Sequence, residues 1–460
     1  MRHIFHMEVR GQMKQILFRL DGVTKHFPSK KIGSRGKEVK ANESISFEIY
    51  QGEVFGLVGE SGCGKSTLGR VLLQLYPPSA GSIIYYGKSI KEILPEYRMR
   101  MVHRLPDAIK RYKRQDQEQK CMQLEKELTS ILGGLLCSDH LDEVVSMTQQ
   151  LYENWKKQKK NSSKKEQLLA LEHEEEHILN ELGKLRKEAM GDADYERLEK
   201  QYEAGIVLNR LNKKEMRAIR KELQLIFQNP YSSLDPKMTV GRIIGEGVYL
   251  HHLLEKRDKV KPYVTSIMQQ CGLAKEMYDR YPHQFSGGQR QRIGIARSLA
   301  LQPQFVVCDE AVSALDVSVQ AQIINLLLER KQKQNLTYLF ISHDFNVIRY
   351  VSDRIGVMYL GHLVEVAECE DLFSYRFHPY TKMLLSSIPS IHKTHKDSIC
   401  WPEKEEVSSE GGCVFCSRCP YYTEICLQEA PQLVEYMKGH WVACHHVMEQ
   451  LEDMEILPKE

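Results

Sequence analysis

The chain has 460 residues, 42% hydrophobic and 27% charged, enough apolar material for a full core and more than one structural unit, which excludes a generically disordered chain. Its 64 basic and 61 acidic side chains leave a formal charge of +3, so no strong global field draws it to nucleic acid or anionic lipid. No stretch approaches the roughly 20 consecutive apolar residues that cross a bilayer, and Met1 to Lys14 lack the apolar core of a secretory signal.

Strands are expected at Ile16 to Leu20, Ser44 to Ile49 and Val54 to Val58, the last a buried-type run ending in a glycine-rich turn. A helix should follow from Ser66 to Leu75, stopped by Pro77, Pro78 and Gly81, with a further strand at Ser82 to Tyr86. From Asp107 to Asn229 there is no proline, and Lys, Glu, Gln and Leu dominate, as in long solvated helices. Leu171, Ile178, Leu182 and Leu185 recur at intervals of seven, four and three and share one helix stripe. A helical hairpin or short coiled coil is the economical reading, with turns at Gly133-Gly134 and Asn161-Ser162-Ser163. It serves as a surface insertion packing on itself or, alternatively, as a partner-docking arm. Globular patterning resumes near Leu223 and runs to about Pro389. Polar residues from Ile391 to Gly412 read as a linker before Cys413, Cys416, Cys419, Cys426 and Cys444.

Gly59-Glu60-Ser61-Gly62-Cys63-Gly64-Lys65-Ser66, followed by Thr67, fits the eight-residue P-loop pattern between a strand and a helix. Backbone N–H groups and a helix N-terminus then face a polyphosphate, Lys65 reaches its outer phosphates and Ser66 offers a hydroxyl to Mg²⁺. Phe305-Val306-Val307-Cys308-Asp309-Glu310 is a buried-strand pattern delivering two carboxylates at its end. Asp309 suits the Mg²⁺ shell, and Glu310 can act as general base on the attacking water.

Phe285-Ser286-Gly287-Gly288-Gln289 then resembles the signature of ATP-binding cassette (ABC) ATPases, and its place at a helix N-terminus makes a second anion site. In that family the signature closes on nucleotide held by the opposite subunit, so one chain carries two half-sites. The remaining motifs follow in order: Gln228 matches the Q-loop, Ser313-Ala314-Leu315-Asp316 the D-loop and His343 the switch histidine, while Phe27 lies where the family stacks an aromatic ring on adenine. The resemblance implies Glu310, His343 and Gln228 as catalytic residues. It implies nucleotide binding by Phe27, Gly59, Ser61, Gly62, Cys63, Gly64, Lys65, Ser66, Thr67, Gln228 and Asp309, with Ser286, Gly287, Gly288 and Gln289 serving the opposite site. Mg²⁺ would be held by Ser66, Gln228 and Asp309. Ala311 departs from a usual proline and Phe285 from a common leucine.

Asp309 to Ser318, Tyr359-Leu360-Gly361 and His378-Pro379-Tyr380-Thr381 narrow the resemblance to the oligopeptide/dipeptide importer branch, and Ile341 to Val351 looks like its F-type ATPase subunit. The implied fold is α/β: a P-loop ABC ATPase with a RecA-like core, an antiparallel β subdomain and a helical subdomain, plus a long helical insertion and a C-terminal Cys-rich region. Residues 15–89 and 213–375 would form the ATPase domain, 90–212 the insertion and 376–460 the transporter C-terminal region. Implied partners are a D-type ATPase subunit in a heterodimer, two integral membrane permeases and, indirectly, an extracytoplasmic solute-binding protein, with no nucleic acid. The chain would sit on the cytoplasmic face of the membrane, with ATP and Mg²⁺ bound. Peptides are the implied solute; nickel or another small solute, or a soluble non-transport ATPase role, are the alternatives. The cysteine spacing suits a metal. In the branch a region of this wording holds a 4Fe-4S cluster, at positions matching Cys413, Cys419, Cys426 and Cys444, with Cys416 the departure. Zn²⁺ completed by His440, His445 and His446 is the alternative.

Overall fold

The computed structural model describes residues 6–9, 12–28, 38–137, 141–160, 165–188, 192–200, 202, 205–313, 315–386 and 411–448. The chain divides into two compact units, Met1–Ile84 with Arg217–Glu460, and Tyr85–Met216. In chain order the strands are β1 (His6–Val9), β2 (Gln12–Phe27), β3 (Val39–Tyr50), β4 (Val54–Val58), β5 (Ala80–Tyr85), β6 (Ile206–Val207), β7 (Leu223–Ile226), β8 (Phe305–Asp309), β9 (Thr337–Ile341), β10 (Arg354–Tyr359), β11 (His362–Glu368), β12 (Val434–Met437) and β13 (His440–Val442).

The larger unit is built on a sheet of order β12-β13-β11-β10-β4-β9-β8-β7. From β10 through β7 the neighbours run parallel, and β11, β13 and β12 extend the sheet antiparallel. Every residue of β4, β8, β9 and β10 is buried. A strand covered on both faces reads as an unbroken apolar run, which is why Val54 to Val58 and Phe305 to Cys308 show no alternation. In a second sheet β2 pairs antiparallel with β1 and β3, and β5 lies beyond β2. A tilted contact of Phe18 with Phe305 (4.6 Å) and stacking of Phe47 on Phe55 (4.8 Å) tie the two sheets together.

Some local expectations shift. β2 runs from Gln12 to Phe27 rather than Ile16 to Leu20, because its ladder with β3 continues through register shifts between Leu20 and Val23 and beyond. The helix after the glycine-rich turn spans Lys65–Leu72 and ends early, since the chain turns left-handed at Gln74 (φ 53°). The smaller unit is helical, with helices Ile90–Lys113, Glu118–Leu132, Leu141–Lys160, Lys165–Glu188 and Ala193–Glu199. Ile178 of the expected stripe is buried, Leu171, Leu182 and Leu185 are half-buried, and Lys165–Glu188 packs on Leu141–Lys160. Gly133 (φ 61°) begins a short 3-10 turn, as the paired glycines suggest. Arg100 pairs with Glu215 at 2.7 Å and Arg210 with the buried Glu127, pinning this unit's ends to its own helices. The Asn161-Ser162-Ser163 turn and all but the last two residues of the Ile391–Gly412 linker lie outside the described residues.

Candidate functional site

Parallel pairing sets the site. Leu57 of β4 and Asp309 of β8 both pair with Ile341 of β9, and Ile226 of β7 pairs with Cys308. The segments leaving these strands therefore emerge along one sheet edge: Gly59–Ser66 after β4, Gln228 after β7, Glu310 after β8 and His343 after β9. Ligands collect outside such carboxyl ends in open α/β sheets.

The glycine-rich turn is shaped by close backbone approach. Gly64 has φ 103°, and a Cβ there would lie 2.0 Å from the Ala41 carbonyl oxygen; at Gly59 it would lie 2.1 Å from that of Met358. Asn42 of β3, nowhere flagged by motif, donates from Nδ2 to the Gly64 carbonyl at 3.1 Å. Lys65 is 4% exposed, and its Nζ donates to the carbonyls of Gly59 and Glu60, each at 2.8 Å, and lies 3.6 Å from Cys63 Sγ. No carboxylate neutralises it in these contacts. These contacts set the ammonium against carbonyl dipoles, an arrangement that an anion entering the turn can replace. Burial pushes the Cys63 thiol up, so it serves as a small neutral packing group beside that ammonium.

Ser66 Oγ donates to Asp309 Oδ1 at 2.5 Å, which puts the hydroxyl and carboxylate expected around Mg²⁺ side by side. Gln228 Nε2 donates to Glu310 Oε2 at 2.6 Å, and His343 Nδ1 lies 3.5 Å from Oε1. Glu310 is thus held from both sides at a strained position (φ 47°) just past the strand, with its backbone N–H on Ile341 O at 3.0 Å. The donor set, one hydroxyl and one buried carboxylate, suits a hard divalent cation beside a phosphate chain. Phe27 lies half-buried at the end of β2, edge-on to Tyr76 at 5.4 Å, with Lys25 Nζ 4.9 Å over its ring.

Ser286 caps the helix Gly287–Leu299: its Oγ accepts from Gln289 N at 3.3 Å, and Gln289 Oε1 accepts from Ser286 N at 3.1 Å. Ser286 and Gly287 are exposed. Among the described residues no hydrogen bond joins Ser286, Gly287, Gly288 or Gln289 to the Gly59–Thr67 turn. Ala311 and Phe285, the departures from the family wording, are both buried in the core. Ala314 lies outside the described residues, whereas Ser313 Oγ donates to the Glu310 carbonyl at 3.0 Å.

The cysteines gather at a second place. Cys413, Cys416, Cys419, Cys426 and Cys444 line one small pocket with His378, His445 and His446. Cys416, left out of the implied ligand set, is among them. His440 is not: β13 turns it inward, where Nε2 meets the fully buried Glu365 at 2.8 Å, and this corrects its place in the zinc alternative. Glu365 also accepts the Phe377 and His378 N–H groups, and His378 Nδ1 accepts from Tyr380 N at 3.1 Å, which accounts for the His-Pro-Tyr wording. Burial raises the Cys413, Cys419 and Cys444 thiols to about 11. Among the described residues no group of His, Cys, Asp or Glu side chains is arranged to hold a metal ion as it stands. The pocket nevertheless offers the soft sulfur donors that a thiolate-bound group requires. A cavity of about 380 Å³ lies elsewhere, lined by Arg19, Tyr50, Arg354, Glu435 and Trp441, and none of the expected catalytic, nucleotide-binding or metal-binding residues lines it.

The ABC transporter family pattern matches residues 42–192 and 195–313, and that of the oligopeptide/dipeptide transporter C-terminal region matches 364–426. The chain is 32% identical over 448 residues to the oligopeptide transport ATP-binding protein AppF of Bacillus subtilis (strain 168), covering 94% of this chain and 98% of that protein. It is 34% identical over 377 residues to OppF of the same organism, an oligopeptide transport ATP-binding protein, covering 82% and 84%. Among solved structures, the dimeric post-hydrolysis state of the ATP-binding cassette MJ0796 bound to ADP and Pi is similar at a TM-score of 0.46 and 18% identity, covering 77% of this chain and 99% of that one.

Proposed function

The chain belongs to the ABC transporter family, and from that premise we propose that it hydrolyses ATP to power the import of peptides, as the F-type member of a pair of ATPase subunits. The observation that carries this is the Glu310 carboxylate held by Gln228 at 2.6 Å and faced by His343 at 3.5 Å, beside the Ser66–Asp309 pair. The chain's similarity to AppF and OppF, both named as oligopeptide transport ATP-binding proteins, supports peptides as the solute.

ATP is the substrate, and bound Mg²⁺ would offset charge on its outer phosphates. The backbone N–H groups of the Gly59–Thr67 turn wrap the phosphate chain, and Lys65 exchanges carbonyl partners for phosphate oxygens. Ser66, Asp309 and Gln228 would hold the cation. Glu310 takes the proton of the attacking water, His343 donates to the outer phosphate, and Phe27 packs on the base. Ser286 to Gln289 meet the outer phosphate of the partner subunit's nucleotide, so hydrolysis requires two chains. We read residues 90–212 as a helical insertion into the cassette and 376–460 as the transporter-specific region, with Cys413, Cys419, Cys426 and Cys444 holding an iron–sulfur group as a structural staple. Among the described residues no helix is long and apolar enough to cross a membrane, in keeping with a peripheral subunit on the cytoplasmic face.

One preparation tests the assembly and the staple. The tagged full chain, purified from detergent-solubilised membranes, is expected to bring down a second ATP-binding subunit and two integral membrane proteins. It should also contain iron and acid-labile sulfide with visible absorption, both lost in Cys419→Ser. Recovery with ribosomes would overturn the importer reading; zinc without sulfide would replace the iron–sulfur assignment.

A further inference from the structure

Glu60, the second residue of the glycine-rich turn, is gripped at both ends by the C-terminal region. Its carboxylate accepts twice from Arg418 Nη1, through Oε1 at 3.0 Å and Oε2 at 3.2 Å. Its backbone N–H donates to the Tyr380 hydroxyl at 2.9 Å. Its carbonyl in turn accepts from Lys65 Nζ. An unbroken chain of polar contacts therefore runs from Arg418 through Glu60 to the ammonium that meets the phosphates.

The Arg418 end is fixed by the cysteine pocket. Arg418 lies in the 3-10 turn Cys416–Arg418, followed directly by Cys419, so two pocket cysteines bracket it. The turn is closed by the Cys416, Arg418 and Cys419 N–H groups bonding to the Cys413, Phe415 and Cys416 carbonyls. Phe415, 1% exposed, packs on Tyr359 and Tyr380 with centroids 5.2 and 5.5 Å away, and the Arg418 guanidinium lies 5.9 Å from both the Tyr359 and Phe415 rings. A shift of this turn moves the guanidinium and the Tyr380 hydroxyl together, since the same aromatic cluster carries both.

We propose that Arg418 and Tyr380 are positioning residues for the phosphate-binding turn, and that they couple the state of the cysteine pocket to nucleotide affinity through Glu60. Such coupling is reciprocal: whatever reorders the pocket changes ATP affinity, and bound ATP shifts the equilibrium of that reordering by the same free energy. The proposal rests on the reading of Gly59 to Thr67 as the nucleotide site.

The test is a double-mutant cycle on the full chain, read by titration with a fluorescent ATP analogue. Arg418→Ala and Glu60→Gln are each expected to weaken binding roughly threefold to fivefold, the range for a partly exposed ion pair, and the double variant is expected to be no weaker than either single one. Glu60→Gln conserves size and carries the test where Arg418→Ala does not fold. Saturating ATP should also slow alkylation of Cys416, the pocket cysteine outside the iron–sulfur ligand set, read by mass spectrometry, in the wild type but not in Arg418→Ala; a merely structural arginine would leave that protection intact. Wild-type binding with fully additive variants, or unchanged ATP protection in Arg418→Ala, overturns the coupling alone. A wild-type chain that does not bind the analogue overturns the nucleotide-site reading and the coupling with it.

Discussion

Glu310→Gln is expected to lower ATP turnover by at least about 100-fold while leaving nucleotide affinity within about threefold, because a positioned general base contributes roughly 10² to 10⁴ in rate. The amide keeps the size of the carboxylate and can still lie between Gln228 and His343, which approach it at 2.6 and 3.5 Å. What it loses is the ability to accept a proton from water. Lys65, Ser66 and Asp309 are untouched, so binding persists, and two such chains should stay closed on unhydrolysed nucleotide. Phosphate release and equilibrium nucleotide binding, measured on the same preparation, check both halves. Turnover near the wild-type value would remove Glu310 from the chemistry, whereas loss of binding would make it a structural residue.

Lys65→Ala is expected to act on the other step and weaken ATP binding by roughly 100-fold, within the cost of truncating one partner of a buried charge-assisted contact. Lys65 is 4% exposed, and its ammonium rests on the Gly59 and Glu60 carbonyls and not on a carboxylate. On the proposed reading the phosphate chain is the anion this charge meets, and among the described residues Lys65 forms no salt bridge that has to be broken first. The fold should survive, because β4 and the helix Lys65–Leu72 are anchored by Val54, Val58, Leu68 and Leu72, each buried. Equilibrium titration with labelled ATP, alongside a thermal melt, separates the two effects. Unchanged affinity would mean that the turn does not hold the phosphates.

The chemistry-bearing residues near one another in the chain were legible in the sequence. The turn Gly59–Ser66 and the pair Asp309-Glu310 each combine a local residue pattern with a buried strand, and short-range periodicity reports both features. The convergence of these segments was not legible from spacing, because it depends on Leu57 and Asp309 sharing Ile341 as a partner across parallel strands. Here the family resemblance supplied what local patterning could not. Tyr380 and Arg418 were missed as neighbours of Glu60: they lie 320 and 358 residues away in the chain, and their motif wording pointed only to the importer branch and to the cysteines. His440 belongs with His445 and His446 to the zinc alternative on sequence grounds, but in β13 its ring turns inward to Glu365. The length of β2 was hidden for a similar reason: Arg19, Asp21 and Lys25 break the apolar pattern, and only pairing with β3 carries the strand on to Phe27.

We propose that hydrolysis at Glu310 drives peptide import. Its most direct test is uptake of a radiolabelled oligopeptide by cells in which this chain is the sole F-type subunit, comparing wild type with Glu310→Gln at equal expression. Uptake that requires the chain and falls to background in Glu310→Gln is the predicted result. Equal uptake with both proteins, or without either, would contradict it.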